Sequence, residues 1–154
     1  MTHGVEIAPQ QLVTFKTGDY VFGIDVLEVQ EVLRQQTMTS VPLAPREVRG
    51  LINLRGHIVT AIGMRERLHF TAHNDEGDQM SLIVSLRDGV ASLIVDSVGD
   101  VITLDPQYYR ARPSTLAAPL RDMVVGVYQH DSQLLLHINP EVACRLFEEK
   151  EEHA

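Results

Sequence analysis

The stretch that decides the fold is Val48-Arg49-Gly50-Leu51-Ile52-Asn53-Leu54-Arg55-Gly56-His57-Ile58-Val59-Thr60-Ala61-Ile62. Two apolar runs, 48–54 and 58–62, flank the polar triplet 55–57. Glycine at 56 permits the positive φ that a tight hairpin turn needs. The stretch therefore predicts two antiparallel strands joined by a turn at Arg55-Gly56.

Three further strand pairs share this pattern of two apolar runs around a short polar turn. They are 11–16 with 20–25, 80–86 with 90–95, and 123–129 with 133–138. Short strands at regular spacing, with a turn signal inside each pair, are typical of small β-barrels or a β-sandwich. We therefore predict a mostly β chain.

The segment 26–33 favours a helix instead. Val26, Val29 and Leu33 recur at helical spacing, and Asp25 is available as the N-cap. Long irregular connections are predicted at 71–79, which is polar, and at 110–121, which holds two prolines.

A second helix is predicted at the C-terminal end. Asn139 can cap it, and Pro140 suits its first position. Its apolar stripe would consist of Ala143, Leu146 and Phe147. Four of the next five residues, 148–152, are glutamates, against the negative end of the helix dipole, so 149–154 is predicted to be an acidic tail.

The chain also shows a weak internal repeat. Gly18 and Asp25 match Gly89 and Asp96 at an offset of 71, and Gly50 matches Gly126 at an offset of 76. Chance matching of apolar strands is the competing interpretation. We favour two related units, each made of a strand pair, a helical turn and a second strand pair.

Composition excludes several classes of protein. The 154 residues suit one domain, or two very small ones sharing a core. With 13 Lys+Arg against 21 Asp+Glu, the net charge of −8 argues against nucleic acid as a partner. No apolar stretch approaches the ~20 residues that span a bilayer, so direct membrane insertion is not expected. One cysteine, Cys144, cannot form an internal disulfide.

No catalytic motif is present. The sequence lacks a Gly-x-Ser-x-Gly elbow, a phosphate-binding glycine loop and a His-Glu-x-x-His pair, so we expect no enzyme activity. Cys144 follows Ala143 on the apolar side of the last predicted helix, where an inert thiol is expected. A cluster of metal-ligand types occurs at His69, His73, Asp75, Glu76 and Asp78. It lies in a predicted surface loop, so we expect neither a metal nor another cofactor.

The turn arginine has two interpretations. Arg55 on a rigid turn could make forked hydrogen bonds to the carboxylates or carbonyls of a partner. From the residues alone, an ordinary solvated arginine is the simpler interpretation.

Four stretches together resemble the CheW family of chemotaxis coupling proteins, over about residues 11–147. They are Tyr20-Val21-Phe22-Gly23-Ile24-Asp25, Val29-Gln30-Glu31-Val32, the run from Val48 to Gly56, and Val95-Asp96-Ser97-Val98-Gly99-Asp100-Val101. The resemblance implies a single domain over 10–148. It implies two SH3-like five-stranded β-barrels packed on a shared core, with subdomains at about 11–70 and 80–148 whose strands could interleave.

The resemblance also implies a non-enzymatic adaptor. Such a protein would link the cytoplasmic tip helices of methyl-accepting chemoreceptors to the regulatory domain of a CheA-type histidine kinase. It would be cytoplasmic and recruited to membrane-associated receptor arrays. Arg55 and Gly56 would face the receptor, and Val29, Glu31 and Val98 would lie near the same groove. Gly50 matches a position where added bulk is expected to disturb partner binding.

The chain departs from the family pattern after the turn. The family usually runs Val-Pro-Ile/Leu-x-Asp-Leu, but Thr60 and Gly63 replace the proline and the aspartate here. This departure puts any contact of that aspartate in doubt and suggests a divergent receptor system. Two alternatives also stay open. One is a related adaptor of a pilus-motility or second-messenger pathway. The other is a small-barrel ligand-binding domain, for which the histidine loop is the one candidate site.

Overall fold

Strands dominate the computed structural model, which describes residues 10–71 and 78–145. The strands within these ranges are β1 (Gln11–Thr17), β2 (Tyr20–Asp25), β3 (Val29–Arg34), β4 (Val48–Leu54), β5 (His57–Gly63), β6 (Met80–Leu86), β7 (Gly89–Val95), β8 (Ser97–Thr103), β9 (Tyr109–Ala111), β10 (Val124–His130) and β11 (Gln133–Ile138). The short helices are α1 (Met64–Arg67), α2 (Leu120–Met123) and α3 (Pro140–Ala143). All four predicted hairpins are confirmed, as β1–β2, β4–β5, β6–β7 and β10–β11.

The predicted helix over 26–33 is wrong beyond its first turn. Only Val26–Glu28 is helical, as a 3₁₀ turn that Asp25 caps by accepting a hydrogen bond from the Leu27 amide at 3.0 Å. Val29–Arg34 is β3, in which half-buried and exposed residues alternate. Val29 and Leu33 are four residues apart, a spacing that puts them on one face of a strand as well as of a helix. Pairing with β6 decides in favour of the strand.

The C-terminal helix begins where the sequence predicts it. The Asn139 side chain accepts a hydrogen bond from the Glu141 amide at 2.9 Å, and Pro140 is the first helical residue. The predicted stripe residues Leu146 and Phe147 and the acidic tail lie outside the described residues, as does most of the loop 71–79. In the segment 110–121, β9 and α2 take up the two ends.

The strands form two sheets. Sheet A has the order β8-β1-β2-β11-β10-β9, and sheet B has the order β3-β6-β7-β5-β4. The prediction of a mostly β chain with two five-stranded units is confirmed, and the short β9 is an additional edge strand. Each sheet takes strands from both halves of the chain. The joints between the halves are the parallel pairs β2–β11 and β5–β7.

Each sheet curls around its own apolar interior. In sheet B, the edge strands β3 and β4 would lie about 19 Å apart if the sheet were flat, because neighbouring strands are about 4.8 Å apart. Yet Leu33 on β3 and Ile52 on β4 pack in one cluster, with Ile83 of β6 between them in the strand order. Sheet A encloses a second cluster of Leu12, Ile102, Leu104, Tyr128 and Leu135. We call the two units barrel A and barrel B.

The largest apolar cluster lies between the barrels. Phe15 and Phe22 stack in it with ring centroids 5.3 Å apart, and both are fully buried. Alternation along each strand explains its origin, because Leu12 faces the interior of barrel A whereas Val13 faces barrel B. Barrel B contributes Ile62, Leu82, Val84, Ala91, Leu93 and Val95 to the same cluster. Burial of this shared core holds the two barrels together.

Pairing registers reveal the internal repeat. The pair Val29↔Val84 in barrel B corresponds to the pair Val98↔Phe15 in barrel A. Val29 and Val98 are 69 positions apart, and so are Phe15 and Val84. A β-bulge interrupts both registers next to these pairs. In the second hairpins, bulges between Val48 and Gly50 and between Val124 and Gly126 are 76 positions apart. The repeat is therefore built into the strand geometry.

The offset predicted for the first hairpins is wrong by two residues. Gly23 pairs with His137 in barrel A, and Ser92 pairs with Ala61 in barrel B, so the first hairpins correspond at an offset of 69 and the second at 76. Matching Gly18 to Gly89 gives 71 because Gly18 lies within its turn, whereas Gly89 is the first residue of β7 after its turn. A shift of two keeps every side chain on its face of the strand, so the apolar pattern cannot detect it.

Gly50 lies where the segment between β3 and β4, residues 35–47, crosses the edge of barrel B. We call this segment the strap. Thr39 and Leu51 exchange backbone hydrogen bonds of 2.9 and 2.8 Å. This contact brings the Thr39 carbonyl oxygen within 2.7 Å of the place that a Cβ on Gly50 would take. The φ of Gly50 is +155°, which also disfavours a side chain. The glycine is thus required by the strap before any partner binds.

We predict that Gly50→Ala destabilises the protein by about 1–3 kcal/mol more than Gly89→Ala, because inserting a group into a packed site costs that much. Gly89 is the matched control, since its φ is +145° and no atom lies within 4 Å of the place that a Cβ there would take. Denaturant unfolding of both variants measures the difference. Equal losses would mean that backbone strain alone explains Gly50.

We also predict that Cys144 is unreactive in the folded protein. Burial raises the pKa of its thiol to about 12, so very little thiolate exists near neutral pH. At about pH 8, an aromatic disulfide reagent should react at least about 100-fold more slowly with the native chain than with the chain in guanidinium chloride. Equal rates under both conditions would show that the thiol is accessible.

Candidate functional site: a partner-binding surface on barrel B

The β4–β5 turn is a two-residue turn with positive φ at both positions. The φ angles are +52° at Arg55 and +88° at Gly56. The Asn53 side chain accepts a hydrogen bond from the Gly56 amide at 2.9 Å. Positive φ at both central residues suits the right-handed twist of a hairpin. The sequence predicted this conformation for Gly56 but not for Arg55, although a two-residue turn of this type demands it of both.

Arg55 forms a forked ion pair with Glu31. Its Nη1 donates to Glu31 Oε1 at 3.3 Å, and its Nη2 donates to Oε2. The Arg55 side chain is 67% exposed, whereas that of Glu31 is 26% exposed. The hydrogen bond and the charge of Glu31 raise the pKa of Arg55, which stays charged at any physiological pH. The carboxylate that this guanidinium binds therefore belongs to the same chain.

The ion pair joins opposite edges of sheet B. Glu31 lies on β3 and Arg55 follows β4, and these two strands end the strand order of the sheet. The pair thus lies across the seam where barrel B closes. It holds the turn in one orientation against β3, because a forked guanidinium–carboxylate contact constrains direction as well as distance. Glu31 and Arg55, which the family resemblance placed in one groove, are brought together.

Val29 and Val98 occupy corresponding places in the two barrels. Each lies on an edge strand beside a β-bulge, 69 positions apart, and each is half-buried against the shared core. Val29 is two residues from Glu31 along β3. The predicted surface therefore extends from the Arg55 turn through Glu31 to Val29, with Val98 on the same apolar cluster. Gly50 is a buried residue of β4 that lies against the strap at Thr39.

The junction of the barrels is fixed by a second forked ion pair, which the sequence did not predict. Arg65 of α1 donates through Nε and Nη2 to the two carboxylate oxygens of Asp96, both at 2.8 Å. Asp96 also accepts from the Gly18 amide at 2.9 Å, and Arg65 donates to the Thr71 carbonyl. Asp96 belongs to a stretch that resembles the family, but nothing in the sequence points to Arg65 as its partner.

Glu66 packs at one of the two positions that depart from the family pattern. Gly63 precedes α1 as its N-cap and offers no side-chain cap. The Glu66 carboxylate occupies the space that a side chain at position 63 would need, and it also lies 3.8 Å from Arg49. A side chain at position 63 would therefore have to displace the Glu66 carboxylate. Nothing in the structure explains Thr60.

The histidine loop is only partly described. His69 has a positive φ of +64° after α1, and His73, Asp75 and Glu76 lie outside the described residues. Within 10–71 and 78–145, no three His, Cys, Asp or Glu side chains are placed to hold a metal ion. No helix in these ranges has both the length and the apolar character to cross a bilayer.

Comparisons with known proteins agree with this architecture. A CheW-like domain model matches residues 11–147. The chain is 28% identical over 145 residues to the chemotaxis protein CheW of Treponema pallidum, covering 92% of this chain and 84% of that protein. It is 28% identical over 138 residues to CheW of Klebsiella aerogenes, covering 88% and 82%.

A solved structure shares the whole fold. The scaffolding protein TtCheW of Thermoanaerobacter tengcongensis superposes with a TM-score of 0.83 at 26% identity, covering 96% of this chain and 95% of that one. The domain match spans both barrels and the Arg55 turn. This chain therefore belongs to the CheW-like family.

Proposed function

We propose that this protein is an adaptor that couples methyl-accepting chemoreceptors to a CheA-type histidine kinase. CheW-like proteins are scaffolds and not enzymes, so the chain acts by binding. The observation that carries the proposal is the domain match over residues 11–147, which includes every element that positions the Arg55 turn. The proposed location is the cytoplasm, at membrane-associated receptor arrays.

The proposed receptor-binding surface combines a polar and an apolar part. Arg55 is exposed and charged and is held at a fixed angle by Glu31, so it can contact a carboxylate or carbonyl of a receptor helix with its free edge. Val29 and Val98 supply apolar area beside the shared core. An amphipathic helix that docks in such a groove needs apolar anchors and polar contacts that fix its register.

A separate surface would bind the regulatory domain of the kinase. An adaptor must contact both partners at once, and coupling requires that its contact free energies differ between the active and inactive arrangements of the kinase. The shared core makes the two barrels one rigid support, which suits the transfer of a small displacement between two faces. We propose that the kinase surface excludes Arg55.

The function is tested by Arg55→Glu. The fold should survive, because the side chain is exposed and lies at a turn. Receptor-dependent kinase activation should fall by roughly tenfold or more, since the variant removes a charge-assisted hydrogen bond and presents a carboxylate in its place. Kinase affinity should be unchanged. Circular dichroism, kinase binding and kinase activation on reconstituted receptor membranes measure the three properties.

Two further variants separate the possible causes. The double variant Glu31→Arg/Arg55→Glu restores an internal ion pair with reversed polarity, and we expect it to stay defective because the receptor then meets a carboxylate. Arg87→Glu is the matched control, since Arg87 is an exposed arginine in the β6–β7 turn. Full recovery in the double variant would mean that Arg55 only braces β3. Equal loss in Arg87→Glu would remove specificity from the Arg55 site.

A further inference from the structure

The chain passes between the two barrels at two joints within the ranges 10–71 and 78–145. The first joint, Val26–Glu28, connects β2 of barrel A to β3 of barrel B. The second is the single residue Asp96, which connects β7 of barrel B to β8 of barrel A. Val29 follows the first joint directly, and Val98 is the second residue after the other. The geometry of each joint therefore determines where one valine of the proposed receptor surface lies.

The two joints are held in different ways. At the first, the Asp25 carboxylate accepts a hydrogen bond at 3.0 Å from the Leu27 amide, which belongs to the joint itself. At the second, the Asp96 amide donates to the Lys16 carbonyl of barrel A at 3.0 Å. The Asp96 carboxylate accepts the fork of Arg65 from α1, which follows β5 of barrel B. Asp96 is thus bound from both barrels at once.

An aromatic contact joins the same two segments beside the ion pair. Phe70, shortly after α1, stacks on Tyr20 at the beginning of β2, with ring centroids 5.8 Å apart. The Phe70 ring also lies 2.8 Å from the place that a Cβ on Gly18 would take. The Gly18 amide in turn donates to Asp96 at 2.9 Å. The segment 65–70 therefore contacts the β1–β2 turn of barrel A through a polar and an aromatic interaction.

The ion pair adds direction to the contact between the barrels. Burial of the apolar shared core is non-directional, whereas a forked guanidinium–carboxylate contact constrains angle as well as distance. The Arg65 side chain is 19% exposed and that of Asp96 is 16% exposed, so salt screens the pair only weakly. The hydrogen bonds to Asp96 raise the pKa of Arg65, which stays charged at any physiological pH. The pair is therefore suited to hold one angle between α1 and the start of β8.

We infer that Arg65 and Asp96 are positioning residues for the receptor surface, because they set the orientation of β8 against barrel B and hence the place of Val98 relative to Val29. Neither residue needs to touch the receptor. The inference rests on the proposed function and gives a structural cause for the geometry of the same surface. Breaking the pair should loosen the orientation of the barrels and weaken receptor binding, although Arg55 and both valines are intact.

The test is Arg65→Gln, which removes the charge and the fork but retains much of the side chain. Residual dipolar couplings of the backbone amides measure the relative orientation of the two barrels in the absence of any partner. One alignment tensor should describe both sheets in the wild-type chain, whereas the sheets of Arg65→Gln should require two tensors of different magnitude. The affinity for a soluble receptor cytoplasmic fragment should fall at least about fivefold.

Arg49→Gln is the matched control. The Arg49 side chain is 15% exposed, lies 3.8 Å from Glu66 and donates to Gln79, so it is a half-buried arginine whose contacts lie on the barrel B side of the joint. This variant should lose stability but retain one common tensor and the receptor affinity of the wild type.

Asp96→Asn breaks the pair from its other side. The asparagine keeps the size of the side chain and an acceptor for the Gly18 amide, but it presents an N–H group to Arg65 in place of a carboxylate oxygen. It should therefore reproduce both effects of Arg65→Gln, and circular dichroism checks that each variant is folded.

Three results would overturn the inference. They are a common tensor in both Arg65→Gln and Asp96→Asn, an unchanged receptor affinity in the presence of two tensors, and two tensors in Arg49→Gln, which would show that any loss of stability loosens the barrels. A wild-type chain that fails to bind the receptor fragment would instead refute the proposed function, because the couplings are measured without the receptor.

Discussion

The exchange of hairpins between the two halves of the chain is the constraint on which the rest of the structure depends. Barrel B needs β6 and β7 from the second half, and barrel A needs β1 and β2 from the first. Neither half can bury its own barrel interior, because the parallel pairs β2–β11 and β5–β7 cross between them. The shared core then buries the outer faces of the exchanged strands. Folding of the two barrels is therefore expected to be one cooperative event.

This exchange also determines where the proposed receptor-binding surface lies. It leaves β3 and β4 as the edges of barrel B, and the Arg55–Glu31 pair lies across that seam. Val29 and Val98 flank the shared core on the two corresponding edge strands. The proposed receptor surface therefore lies on the rigid support that the shared core makes of the two barrels.

The sequence predicts local features of this fold better than distant ones. The four hairpins are predictable because each depends on two adjacent apolar runs and a turn residue such as Gly56. The prediction fails at β3 because a spacing of four between Val29 and Leu33 fits both periods, and the pairing with β6 that resolves it lies about fifty residues away. The predicted repeat offset is wrong because Gly18 lies within its turn and Gly89 follows its turn, so the two glycines do not correspond.

The residues of the candidate site were likewise predictable from the sequence only in part. Arg55 and Glu31 each came from the family resemblance, but only the curled sheet brings their side chains together. Gly50 was expected to matter for binding, and the structure adds a cause within the fold, the Thr39 carbonyl beside it. The Arg65–Asp96 pair carries no local signal, because it depends on how the two halves are interleaved.

The central claim is that one chain holds a receptor and a kinase at the same time. Light scattering after size-exclusion chromatography tests it most directly, with this protein, a soluble receptor cytoplasmic fragment and a CheA-type kinase regulatory domain. The account predicts a complex that contains all three components, and only the two separate proteins when this chain is left out. If the kinase domain and the receptor fragment displaced each other from the chain, it could not act as a coupling adaptor.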